Sequence, residues 1–137
     1  MESVLLIQKD AVRCISGKVA WEWVHDHFQK PSCKELFVEN KILTAPALYI
    51  FETIMYFLRE GEGRLVGEVS AYSTRQAQDF WLSRKRLRST EQEVAYAGAS
   101  NFNKLPGEIK GKRDKWGFKG ALKEYLIRRV LYATGDL

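Results

Sequence analysis

The sequence of 137 residues contains only two cysteines, and this shortage excludes one common kind of small protein. Two cysteines are too few for the disulfide framework of small secreted domains, so an intracellular compartment, nucleus or cytoplasm, is expected. The first residues, MESVLLIQKD, lack the basic start and long apolar run of a signal peptide. There is no internal repeat and no low-complexity run, and 45% of the residues are apolar, which predicts a folded protein.

Motifs of metal binding and catalysis are also missing. Cys14, His25, His27 and Cys33 would supply four zinc ligands if they converged, but their spacing contains neither CxxC nor HxxxH. Packing among the neighbouring tryptophans accounts for the histidines equally well. The sequence has no GxSxG motif, no glycine-rich phosphate loop and no pair of acids placed to hold catalytic magnesium. We therefore expect no metal, no cofactor, no catalytic residue and no enzymatic activity of this chain on its own.

One long apolar segment, residues 42–58, raises the question of a membrane span. It is shorter than the about 20 apolar residues that a span needs, and it contains Pro46 and Glu52. Thr44 can cap a helix here, and Pro46 falls in the first turn, where its missing N–H is tolerated. The segment therefore predicts a central core helix, and no membrane partner is expected.

Alternation of apolar and polar residues, the pattern of half-buried strands, is almost absent, so we predict an all-α fold. It is expected to be a small bundle of about four to five helices with a long irregular connector. The helices are predicted over residues 4–16, 33–40, 44–58, 90–103 and 115–133. A single domain is expected over 1–137, with an N-terminal helical core (1–60), a connector that holds a basic run (61–89) and C-terminal helices (90–137).

The first predicted helix is amphipathic. Gln8, Lys9 and Arg13 are expected on or near its solvent side. Its apolar stripe at helical spacing consists of Val4, Ile7, Ala11 and Cys14, widened by Leu5, Val12 and Ile15.

Charge is distributed unevenly along the chain. The net charge of +5 divides into −2 for residues 1–63, with 7 Lys/Arg and 9 Asp/Glu, and +7 for residues 64–137, with 15 Lys/Arg and 8 Asp/Glu. Such an asymmetry favours a polyanionic partner for the second half, although a solvated basic surface would have the same composition.

The strongest local signal in the second half is the run RKRLR at residues 84–88, which directly follows Phe80 and Trp81. Aromatic rings beside cations are the combination that stacks bases and holds a phosphate backbone. A nuclear-import signal and a solvated loop are equally compatible with the run. A second basic patch surrounds the start of the last predicted helix and consists of Lys110, Lys112, Arg113, Lys115 and Lys119.

Four blocks spread over the whole chain carry a family resemblance. They read LIQKDAVRCISG (6–17), SCKELF (32–37) with ILTAPALYIFE (42–52), YSTR (72–75), and YAG (96–98) with FNKLPGEIK (102–110). In this order they resemble LQKRAVRIISG, SCKELFKELGILTLPSLYIYE, YNTR and YxGxxLFNKLPxxIK of the C-terminal, post-thumb region of reverse transcriptases from jockey-like non-LTR retrotransposons. The terminal LKEYL (122–126) is similar to that family's FKxxLKxYLL ending, whereas Ser73 stands where the family has asparagine.

The resemblance implies a polymerase tail without its catalytic part. The family's paired-aspartate palm lies upstream of these blocks, and nothing in this chain resembles the palm or the endonuclease. In the parent enzyme this region would sit beside the thumb and hold template RNA or target DNA, which agrees with the basic second half.

The sequence therefore predicts a nucleic-acid-binding remnant of an RNA-directed DNA polymerase that contacts the RNA or DNA backbone. Trp81 and Trp116 are the stacking candidates. The expected phosphate contacts are Arg75, Arg84, Lys85, Arg86, Arg88, Lys110, Lys112 and Arg113.

A rival interpretation is a protein-interaction or homodimerisation module that binds no nucleic acid. In that case the N-terminal helix, which would continue into the polymerase in the parent enzyme, is the expected docking face.

Overall fold

The computed structural model is mostly helical, which confirms the all-α class. It describes residues 1–18, 22–24, 27–29, 32–60, 63–72, 74–82 and 93–137. In these ranges the α-helices are α1 (Glu2–Ile15), α2 (Lys34–Glu39), α3 (Ala45–Glu60), α4 (Val66–Val69), α5 (Val94–Asn103), α6 (Gly107–Lys110) and α7 (Phe118–Arg129), and a 3-10 turn follows at Thr134–Asp136. No helix of the described part has both the length and the apolar character needed to cross a membrane.

All five predicted helices are present, as α1, α2, α3, α5 and α7. The structure adds the single-turn helices α4 and α6, and a hairpin of two short antiparallel strands, β1 (Glu22–Val24) and β2 (His27–Gln29). Its register pairs Trp23 with Phe28. Strands of three residues are too short to give a readable alternation, which is why the sequence did not predict them.

The ends of the central helix α3 and the C-terminal helix α7 have local causes. Thr44 caps α3 as predicted, since its hydroxyl accepts a hydrogen bond from the backbone N–H of Ala47 at 3.3 Å. Helix α7 begins at Phe118 rather than at the predicted residue 115, because Gly117 has a φ of 102°. That backbone conformation is open to glycine and strained for other residues, so it interrupts the helix N-terminal to Phe118.

The chain divides into two compact units. The terminal unit comprises Met1–Leu48 and Glu124–Asp136, and the central unit comprises Tyr49–Lys123 with Leu137.

In the terminal unit, the buried cluster forms where α1, α2 and the end of α7 contribute apolar side chains. Its members are Val12, Cys33, Leu36, Phe37 and Val130, with Ile42 and Tyr132 packed against them. Polar side chains add specific hydrogen bonds to this packing. The Gln8 amide donates to the carbonyl of Leu43 at 2.7 Å and accepts from the N–H of Ala45 at 2.8 Å, so it fixes the chain at the start of α3.

The orientation of α1 differs from the prediction. Leu5 and Val12 are the buried residues of this helix, and Gln8, Lys9 and Arg13 are half-buried rather than on the solvent side. The stripe of Val4, Ile7, Ala11, Cys14 and Ile15 is exposed. The inward side of α1 combines the buried Leu5 and Val12 with Gln8 between them, whose amide bonds to Leu43 and Ala45.

The core of the central unit is a row of phenylalanines. The ring centroids of Phe57 and Phe80 lie 4.7 Å apart, those of Phe80 and Phe102 5.0 Å apart, and those of Phe102 and Phe118 6.3 Å apart. The first two pairs meet edge to face, the geometry that aromatic quadrupoles prefer. This row connects α3, the connector, α5 and α7 inside one unit.

Close backbone contact joins α3 and α5 in the central unit. A side chain at Gly98 would collide with the backbone carbonyl of Thr53 and with Phe57, so only glycine allows this approach. Next to it, the Asn101 amide donates to the Thr53 hydroxyl at 3.2 Å, and that hydroxyl donates to the carbonyl of Ile50.

The described part of the connector folds back on itself and is held by three sets of contacts. Leu65 and Phe80 form an isolated antiparallel bridge. The Asn103 side chain accepts from the N–H of Phe80 at 2.7 Å and donates to its carbonyl at 2.8 Å. The Lys110 ammonium donates both to the Asp79 carboxylate and to the Asn103 carbonyl. These bonds fasten the connector to α5 and α6.

Candidate nucleic-acid interface

An open groove of about 950 Å³ lies in the central unit, and we call it the basic groove. Helix α3 forms one wall, and the segment from Arg113 to Lys119 forms the other. Four of its lining residues are cationic and one, Glu52, is acidic; the cations are Arg59, Arg113, Lys115 and Lys119. Its aromatic lining residues include Tyr49, Tyr56 and Trp116.

The α3 wall follows from helical spacing. Tyr49, Glu52, Tyr56 and Arg59 stand at intervals of three or four residues, so they share one helix face. From Tyr49 to Arg59 this face is about 15 Å long at 1.5 Å per residue. Tyr49 and Tyr56 are 37% and 44% exposed, so each ring keeps an accessible part beside solvent.

The opposite wall presents Trp116 to solvent. Its side chain is fully exposed, the most exposed of the large apolar side chains in the described residues. Gly117 lies directly behind it with a φ of 102°, so the chain turns there before α7 starts. Trp116 lines the same groove as Tyr49 and Tyr56, so its exposed ring belongs to a group of exposed apolar side chains, the kind of surface that marks a binding site.

The cations of the basic groove differ in how far they are already paired. Arg113 makes two hydrogen bonds to the Asp114 carboxylate, each 3.0 Å long. These bonds lower the pKa of Asp114 and raise the pKa of Arg113. Arg59 pairs with Glu60 at 2.9 Å, but its side chain is 73% exposed. Within the described part of the chain, Lys115 and Lys119 form no ion pair.

Two of the ten predicted contact residues, Arg113 and Trp116, therefore meet in the basic groove. Lys110 has a different environment. Its side chain is only 11% exposed and its ammonium is bound by Asp79 and Asn103. A lysine held in this way fastens the connector, so we leave it out of the proposed contact surface.

The other predicted contact residues lie elsewhere. Lys112 and Arg75 are exposed but do not line the basic groove. Trp81 is 55% exposed and also lies outside it, and its backbone N–H donates to the carbonyl of Arg64 at 2.8 Å. The basic run Arg84, Lys85, Arg86 and Arg88 lies outside the described residues.

Sequence reasoning missed the contribution of α3. The helix is apolar on nearly every side, so its sequence predicts that Tyr49 and Tyr56 belong to the core, and Arg59 does not stand out. A signal was present in the spacing. Two tyrosines seven residues apart share their face with the charged residues Glu52 and Arg59, whereas the buried face is occupied by Ile50, Ile54 and Phe57.

Among the described residues, no three His, Cys, Asp or Glu side chains come together as metal ligands would. His25 lies outside these residues. In comparisons with protein-family models, with curated proteins and with solved structures, no match to this chain was found.

Proposed function

We propose that this protein is a nucleic-acid-binding remnant of a retrotransposon RNA-directed DNA polymerase, without catalytic activity of its own, and that it binds through the basic groove. The observation that carries the proposal is the groove itself, where cations and exposed aromatic rings share one concave surface. The four sequence blocks that resemble the post-thumb region of retrotransposon polymerases support the origin. Contacts to the phosphate backbone make recognition largely independent of base sequence.

The distribution of charge favours a polyanion surface on the central unit as a whole. Four of its 14 cations line the basic groove, and four more form the basic run at 84–88, which lies outside the described residues. Lys115 and Lys119 are exposed and have no carboxylate partner among the described residues, so a phosphate would not have to displace one.

A salt titration of binding tests the proposal. Lys115→Ala/Lys119→Ala is expected to reduce the slope of log binding constant against log salt by about 1.4, at about 0.7 per phosphate contact on a single strand. Fluorescence anisotropy of a labelled oligonucleotide measures the binding constant. Lys18→Ala/Lys104→Ala removes the same charge from exposed positions outside the groove and serves as the control. Equal slopes for the two double variants would contradict a groove-centred interface.

The basic run at 84–88 is tested in the same titration. If it also grips the backbone, replacing Arg84, Lys85, Arg86 and Arg88 by alanine reduces the slope by about 3, taking roughly 0.7–0.9 per contact. An unchanged slope would remove this run from the binding surface and leave the basic groove as the site.

A second candidate function, homodimerisation through α1, is favoured by one observation. The stripe on this helix is exposed, with Val4 at 58%, Ile7 at 71% and Ile15 at 69%. A second copy of this chain presents the same apolar stripe, so in an antiparallel pair each copy would cover the stripe of the other.

Light scattering tests the dimer. Ile7→Gln is expected to abolish any concentration-dependent rise in mass, whereas Val38→Gln, an exposed apolar position on α2, leaves it unchanged. In the antiparallel arrangement, a Val4→Cys variant would cross-link between copies to Cys14. Within one chain the two positions lie about 15 Å apart along the helix, too far for a disulfide. A constant monomer mass at all concentrations would reject this candidate.

A further inference from the structure

We infer that the basic groove takes a single-stranded nucleic acid, RNA or DNA, whose unpaired bases stack on its aromatic rings while its phosphates meet the lysines. This inference rests on the proposed function and narrows it to one class of polymer. It is carried by Trp116 and Tyr56, which line one groove from two different segments of the chain, with Lys115 and Lys119 of the Trp116 segment in the same lining.

The aromatic rings are what distinguish a single strand from a duplex. In a duplex the base faces are covered by their neighbours, so a ring on the protein finds only sugar and phosphate to touch. A single strand offers an open π-face at every base, and stacking on aromatic side chains is the usual way in which proteins bind such strands. Three partly or fully exposed rings in one groove would contribute little to duplex binding.

The order of groups along the α3 wall fits a strand that runs along the helix. Tyr49 and Tyr56 are about 10 Å apart along the axis, and Arg59 follows one turn beyond Tyr56. This wall therefore offers two rings to successive bases and one guanidinium, at its end, to a phosphate. Glu52, between the tyrosines, would repel a phosphate and leaves that interval to bases and sugars.

The chemistry also separates this ligand from an acidic peptide. An acidic peptide would use the lysines in the same way, but it has no large planar groups for Trp116, which is fully exposed. Charge alone would then account for its affinity, and loss of the indole would have no effect.

The test measures binding of labelled strands of about 12 nucleotides, a length in the range of known single-strand sites. The probes are an oligo(A) strand as RNA and as DNA, a base-free strand of the same length and charge, a mixed-sequence duplex and a polyglutamate peptide. Trp116→Ala is expected to weaken binding of oligo(A) about 5- to 150-fold, the effect of losing one stacked base. It should leave the base-free strand and the duplex within about twofold of wild type, since neither offers a base to stack.

Matched variants show whether the indole ring at this position is responsible for the affinity. Trp116→Phe keeps a ring and should restore most of the affinity for oligo(A). Trp81→Ala removes an exposed tryptophan that does not line the groove and should leave that affinity unchanged. Because Trp116 is fully exposed, its replacement is not expected to change the melting temperature, which is measured alongside.

The outcomes separate this inference from the proposed function. If Lys115→Ala/Lys119→Ala weakens binding but Trp116→Ala does not, the groove binds backbone alone and the stacking inference is overturned while the proposed function stands. A larger effect of Trp81→Ala than of Trp116→Ala would overturn it in favour of a site at the connector. Polyglutamate competing as well as oligo(A) would overturn it in favour of an acidic partner. If no nucleic acid binds at low salt, both the inference and the proposed function fail.

Discussion

The terminal and central units differ in charge more than in size or in secondary structure. The terminal unit has eight Lys/Arg and eight Asp/Glu residues and is therefore neutral. The central unit has 14 Lys/Arg and nine Asp/Glu residues, so it carries +5, the net charge of the whole chain. A surface for a polyanion is thus expected on the central unit alone.

The two units are also stabilised by different kinds of contact. In the terminal unit, Gln8 and Thr44 bond their side chains to backbone groups of segments distant in sequence. The central unit instead depends on its phenylalanine row, on the close approach at Gly98 and on the ion pair of Lys110. The unit that carries the proposed site therefore uses Lys110 internally. Of the groove cations, Arg59 and Arg113 pair with acids, whereas Lys115 and Lys119 have no ion pair among the described residues.

The largest effect is expected where α3 and α5 touch in the central unit. Gly98→Ala should lower the free energy of unfolding by about 3 kcal/mol, because the new methyl group meets the Thr53 carbonyl and the helices must separate. Urea unfolding measures the loss. Gly120→Ala is the control, since it lies in α7 with open space around it and should stabilise by about 0.5–1 kcal/mol. Equal effects of the two variants would refute close packing at Gly98.

A second prediction concerns the cation that the central unit uses internally. Lys110→Met should cost about 2–3 kcal/mol, because it leaves the mostly buried Asp79 carboxylate without its partner. It should not change the salt slope of nucleic-acid binding, unlike loss of a phosphate contact. Lys104→Met, at an exposed position, serves as the control. A stable Lys110→Met protein with a reduced slope would return Lys110 to the contact surface.

In the terminal unit, the corresponding stabilising residue is Thr44. Thr44→Val should cost about 2 kcal/mol, because it removes the cap of α3 and the hydrogen bond that the hydroxyl donates to the buried carbonyl of Leu131. Thr134→Val, at an exposed position of the same unit, should change stability by less than about 0.5 kcal/mol. At a temperature where Thr44→Val remains folded, its affinity for nucleic acid should equal that of wild type. A loss of affinity in the folded variant would contradict the assignment of binding to the central unit alone.

The smallest effect is expected from pH at the rim of the groove. The hydrogen bond from Arg113 lowers the pKa of Asp114, so the pair stabilises the fold above the ordinary carboxyl pKa of about 4 and loses this contribution as pH falls through the lowered value. Asp114→Asn should therefore melt slightly below wild type at neutral pH and together with it at strongly acidic pH. If the difference in melting temperature between Asp114→Asn and wild type increased as the pH fell, the Arg113–Asp114 pair would not be the source of the stabilisation.

The sequence predicted the local features of this fold better than its long-range ones. The cap at Thr44, the tolerated Pro46 and the apolar period of α3 are signals within a few residues, and they gave the helix correctly. The hydrogen bonds of Asn103 to Phe80 and of Lys110 to Asp79 join positions that are 23 and 31 residues apart. No local sequence pattern therefore predicts them. The hydrogen bonds of Gln8 on the inward side of α1 likewise reach Leu43 and Ala45, 35 and 37 residues away.

The candidate site was half visible in the sequence. Arg113, Lys115, Trp116 and Lys119 form a compact basic and aromatic segment that local composition reveals. The α3 wall could be predicted only by knowing which side of α3 faces solvent. The apolar rings of Tyr49 and Tyr56 are compatible with either side, and only their neighbours Glu52 and Arg59 distinguish it.

Photochemical cross-linking tests most directly whether the basic groove of the central unit holds the nucleic acid. A thiouridine-substituted single strand is irradiated with the full chain, and the modified peptides are mapped by mass spectrometry. We expect the cross-links to fall on Trp116 and on the α3 tyrosines, Tyr49 and Tyr56. Cross-links confined to the neutral terminal unit, with none on either wall of the groove, would contradict this account.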